Sequence, residues 1–110
     1  MVVLLLASMS VPLCAQTGAP VEVKLSEWKI EMPATLPAGP TTFKVANTGQ
    51  KTHTLKIQAK GFEQKLSNDL KPGENGEMTV NLKPGTYDVT CPIGFGAHKK
   101  HGMQVTLTVH

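Results

Sequence analysis

Cys91-Pro92-Ile93-Gly94-Phe95-Gly96-Ala97-His98-Lys99-Lys100-His101-Gly102-Met103 joins two runs of alternating apolar residues. Tyr87, Val89 and Cys91 share one parity before the loop; Met103, Val105, Leu107 and Val109 share one parity after it. Alternation at period two marks half-buried β-strands, so Cys91 closes one strand and Met103 opens the next, each on the inward face. If those strands run antiparallel, both residues sit at one end of the sheet. The loop between them adds His98 and His101. Soft sulfur with imidazole is the donor set that copper prefers, and one more imidazole would complete a two-His, one-Cys site with a weak Met.

His53 supplies that imidazole. It is in phase with Leu55 and Ile57 and opens their strand, so it joins the cluster if that strand runs parallel to the last one. The other runs read the same way. Val21, Val23 and Leu25 alternate on odd positions, then Trp28, Ile30 and Met32 on even ones. The slip at Ser26-Glu27 predicts a bulge or break that sends the first strand into two sheets. Phe43 and Val45 mark a further strand, as do Met78, Val80 and Leu82. Turn signals fall at Thr48-Gly49, Lys71-Pro72-Gly73, Asn75-Gly76 and Lys83-Pro84-Gly85. Short strands with regular punctuation and no sustained helical period predict an all-β sandwich or barrel. Residues 61–70 have no clear pattern and fit a short helix or an irregular loop.

The first twenty residues carry no charged side chain, and the run Val2-Val3-Leu4-Leu5-Leu6-Ala7 is too short to span a bilayer. It reads as a secretory signal peptide over residues 1–15, leaving one small domain at residues 16–110 and predicting a periplasmic or otherwise exported protein. Of the two cysteines only Cys91 then remains. A lone cysteine in an exported domain is a buried spectator, a reactive thiol or a metal-bound thiolate. All the basic charge is lysine; without arginine the bidentate fork used on phosphates and guanine edges is missing, which argues against nucleic acid. The net charge of +3 suits solubility or weak steering toward an acidic partner.

Together these features resemble a cupredoxin, the plastocyanin/azurin-like family of small blue copper proteins. The resemblance rests on Leu36-Pro37-Ala38-Gly39, Phe43-Lys44-Val45-Ala46-Asn47-Thr48-Gly49, His53 with Leu55 and Ile57, Leu82-Lys83-Pro84-Gly85-Thr86-Tyr87, and Cys91 to Met103 with its following strand. It implies a Greek-key β-sandwich of seven or eight strands. It also implies one copper ion per chain, cycling between Cu(I) and Cu(II), on His53, Cys91, His98 and Met103. His98 aligns when counted back from Gly102-Met103, and His101 is its rival. The chain departs from the family in two places. Six residues separate Cys91 from His98 where familiar members have two to four, and Thr54 follows His53 where several members carry an Asn that ties the ligand strands together.

The function this implies is single-electron exchange with a redox partner protein docking on Pro92, Ile93, Phe95 and Ala97 around His98, by a monomer. The alternative is a copper-handling module with no electron-transfer role. A thiol enzyme would use Cys91 as nucleophile with a histidine base. No orienting third group or oxyanion feature accompanies it, so the chain is not expected to be an enzyme. Trp28, Phe43 and Tyr87 are expected in the core.

Overall fold

The computed structural model describes residues 20–94 and 96–110; the expected signal peptide at residues 1–15 lies outside them. Among the described residues nine strands form two sheets: β1 (Val21–Ser26), β2 (Lys29–Glu31), β3 (Thr35–Leu36), β4 (Gly39–Asn47), β5 (Lys56–Ala59), β6 (Phe62–Lys65), β7 (Asn75–Leu82), β8 (Gly85–Thr90) and β9 (Gln104–Val109). The first sheet has the order β2-β1-β4-β7 and the second β3-β9-β8-β5-β6. Each is mixed, with β1 parallel to β4 and β3 parallel to β9. After β4 the chain crosses to the second sheet for β5 and β6, then returns with β7 to pair with β4. That excursion between layers is the crossing of a Greek-key sandwich.

The expected alternation governs the core. Val23, Leu25, Phe43, Val45, Met78, Val80 and Leu82 point inward from the first sheet, and Ile57, Tyr87, Val89, Leu107 and Val109 from the second. Most residues between them, among them Lys24, Lys44, Glu77, Thr79, Asp88 and Thr106, are exposed, so each sheet has one wet face. Tyr87 also pins a turn: its hydroxyl accepts from Lys83 N–H and donates to Lys83 O, both at 2.9 Å.

Four expectations about local structure change. Among the described residues the strands number nine rather than seven or eight: to the seven runs read from the alternation the structure adds the two-residue β3 and the edge strand β6. The phase slip at Ser26-Glu27 is a hairpin turn, not a passage between sheets: β1 and β2 pair antiparallel in one sheet, with Leu25 opposite Ile30. A two-residue turn pairs odd positions with even ones, which reproduces the slip. Residues 62–65 are the edge strand β6 rather than a helix or loop; only Phe62 and Gln64 are half-buried, so its polar sequence hides the strand period. Asn75-Gly76 is strand rather than turn, paired with Ala46 and Val45. The reversal lies just before it, where Glu74 N–H bonds Lys71 O at 2.9 Å.

Candidate metal centre

Three strands deliver the donors to one end of the sandwich. β8 and β9 pair antiparallel with Thr90 opposite Gln104. One step further, Cys91 N–H donates to Met103 O at 3.2 Å. β5 is antiparallel to β8 and therefore parallel to β9, as the convergence of His53 requires. His53 itself lies just before β5 and pairs with Leu70 through two backbone bonds of 3.0 and 2.7 Å. Cys91, Met103 and His53 are all fully buried.

His98 sits in a single turn of helix, α1 (Ala97–Lys100), which begins just before it. Gly94 and Gly96 enter it at φ 76° and 90°, which a side chain would resist. Met103 N–H closes the loop on His98 O at 3.1 Å. His98, half-buried on this helix, turns its Nδ1 to 3.7 Å from Cys91 Sγ and 3.3 Å from His53 Nδ1. His53 Nδ1 is 3.9 Å from the same sulfur.

This triangle suits one small ion. Metal–imidazole bonds of about 2.0–2.1 Å and metal–thiolate bonds of about 2.3 Å, at angles of about 110–120°, place two nitrogens about 3.3–3.6 Å apart and nitrogen and sulfur about 3.6–3.8 Å apart. The observed edges are 3.3, 3.7 and 3.9 Å. Two imidazoles and a thiolate are soft donors that suit copper, and a methionine at the same end fits a weak further ligand. His101 does not join the cluster; it is exposed and stacks on Trp28, with ring centroids 4.7 Å apart.

The surroundings tune these donors. Burial pushes the Cys91 thiol above its ordinary value; hydrogen bonds from the Thr54 and Ile93 N–H groups oppose this, and the charge of Asp69 adds to it. Thr54 N–H donates to Cys91 Sγ at 3.5 Å, linking the His53 and Cys91 segments through backbone. The Thr54 hydroxyl is buried and has no hydrogen-bond partner among the described residues. Asn47 has a different task. Its amide donates to Lys51 O at 2.7 Å and Leu70 O at 2.8 Å, and its carbonyl accepts from Gly49 N–H at 2.8 Å, bracing the segment that carries His53. His98 is held below the usual imidazole range, first by desolvation and then by its electrostatic interaction with His53, Lys51 and His101, with Glu27 opposing.

Two residues of the β1–β2 turn belong to the site although sequence reasoning did not place them there. Glu27 accepts from His53 at 2.6 Å. Trp28 is half-buried: it packs against the core and lies edge-on to His98 at 5.0 Å and to His53 at 6.4 Å, so it also borders the site. The phase slip at Ser26-Glu27 was the signal for a turn there, but not for where the turn would land. Of the expected docking residues, Pro92 and Ile93 are half-buried and Ala97 is exposed, whereas Phe95 lies outside the described residues.

The cupredoxin-like domain family matches residues 1–109. The chain belongs to that family. Among curated relatives, this cupredoxin is 37% identical over 76 residues to the iron uptake system component EfeO of Yersinia pestis, a match covering 69% of this chain and 20% of the relative. The chain thus spans about a fifth of that protein's length. Among solved structures, auracyanin A, a "blue" copper protein of Chloroflexus aurantiacus, superposes with a TM-score of 0.67 at 15% identity, covering 84% of this chain and 98% of that one. A reduced auracyanin of Roseiflexus castenholzii gives 0.63 at 18% identity, covering 81% and 94%. These likenesses establish the cupredoxin fold. Among the described residues no helix is long and apolar enough to cross a membrane.

Proposed function

We propose that this cupredoxin is an exported type 1 copper protein that holds one copper ion on His53, Cys91, His98 and Met103 and exchanges single electrons with a partner protein, without catalysing a reaction itself. The observation that carries this reading is the triangle of Nδ1, Nδ1 and Sγ with edges of 3.3, 3.7 and 3.9 Å. Copper in such a site supplies a one-electron couple. The chain's own contribution is rigidity. His53 and Cys91 are fully buried and held by backbone bonds, so their positions change little when the charge of the site changes. His98, half-buried on α1 beside Pro92, Ile93 and Ala97, is the ligand nearest solvent and the proposed point of exit for the electron.

A second reading, a metal-handling module, draws support from the likeness to EfeO, whose name is that of an iron uptake component. One experiment separates the two. Cu(II) added to the chain should produce an intense thiolate-to-copper charge-transfer band, lost in Cys91→Ser and in His98→Ala but kept in His101→Ala. Voltammetry should give a reversible one-electron wave. No band refutes the blue-copper reading; a band without a reversible wave, together with ready transfer of the metal to a chelator, favours handling.

A further inference from the structure

We infer that Glu27 is a positioning residue of the metal centre: its carboxylate holds His53 as the Nε2–H tautomer, leaving the Nδ1 lone pair for the ion, and sets a negative charge one imidazole ring away. The inference rests on the ligand set proposed above. Glu27 Oε2 lies 2.6 Å from His53 Nε2. A carboxylate only accepts, so the proton of a neutral His53 sits on Nε2 and the lone pair on Nδ1, the atom that faces Cys91 and His98. His53 is fully buried, which leaves it no water as a substitute partner.

The contact is built rather than incidental. Gln50 N–H donates to both carboxylate oxygens at 2.8 and 3.0 Å, and Lys51 N–H donates to Oε2 at 3.1 Å. These bonds aim the carboxylate from the loop before His53, and they hold Glu27 below the usual carboxylate range, with the His53 bond adding to the effect. Gly49 completes the cradle: a Cβ at this position would occupy the space of the Glu27 carboxylate. Asn47 fixes Gly49 and Lys51 in turn. A carboxylate behind a ligating imidazole raises the donor's basicity and fixes the ring's orientation. Its negative charge also favours the more positive oxidation state of the ion, which lowers the reduction potential.

Long-range 1H–15N correlation spectra of the metal-free chain, followed across pH until the imidazole is neutral, should show the neutral His53 as the Nε2–H tautomer. A neutral His53 with its proton on Nδ1 overturns the inference without any substitution. Glu27→Gln keeps the size and removes the charge. It should weaken Cu(I) binding, read by competition with a chelator, about 10–100-fold. It should also raise the reduction potential while the charge-transfer band persists. Unchanged affinity and potential would overturn the inference, and the tautomer measurement decides it if the variant does not fold. Failure of the copper reading is seen separately, as absence of the band in the unaltered protein.

Discussion

Copper binding to the proposed site should tighten tenfold for each unit of pH between about pH 7.5 and 8.5, which is about 1.4 kcal/mol per unit. The magnitude follows from the protonation states of two donors. Burial holds the Cys91 thiol above its ordinary value of 9.0, so in this window the metal-free protein carries a proton there that the ion must displace. His98, held below its ordinary 6.5, is already neutral and surrenders none. One proton released per ion bound gives a slope of one in log K against pH. The slope steepens in acid, once the pH falls through the lowered His98 pKa and its imidazole must also be stripped. Competition with a Cu(I) chelator under anaerobic conditions, corrected for the chelator's own protonation, measures the slope. A flat profile across the window would refute the reasoning, because it would mean that no thiol proton is displaced. The metal-free protein should show the matching linkage. His98 is kept neutral by the fold, so its contribution to stability is present above 6.5 and is lost as pH falls through its lowered value. Cys91 is kept protonated, so its contribution is present below 9.0 and is lost as pH rises through its raised value.

Two further predictions concern the scaffold. Phe43→Ala, at a fully buried position on β4, should cost about 3–5 kcal/mol in urea unfolding of the metal-free chain; a cost below about 1 kcal/mol would show that Phe43 is not a core residue. Asn47→Ala strips partners from Lys51 O, Leu70 O and Gly49 N–H and should cost at least about 2 kcal/mol, against under about 0.5 kcal/mol for Thr42→Ala, whose exposed hydroxyl pairs with Thr79. Equal costs for the two would remove the bracing role of Asn47.

Much of this protein was legible in its sequence, because a strand has period two and His53, Cys91 and Met103 each lie in phase with apolar neighbours. Tyr87, Val89 and Cys91 announce an inward-facing sulfur at a strand end; Met103 opens the next run on the same face; His53 leads Leu55 and Ile57. Where burial was weak the period faded, as in Phe62-Glu63-Gln64-Lys65 on the edge strand. Asn75-Gly76 looked like a turn because residue preference is local, while pairing with Val45 and Ala46 depends on a distant segment.

Sequence alone therefore determined the all-β class, the inward phase of the donors and the soft chemistry of the cluster. Tertiary structure decided which imidazole meets the sulfur, since His98 and His101 are three residues apart and only the path of α1 separates the inward ring from the one stacked on Trp28. It also decided that Glu27, twenty-six residues before His53, lies behind that imidazole. Side-chain phase is set by the local backbone, whereas contacts between distant turns are set by how the two sheets close on one another, which no local pattern encodes.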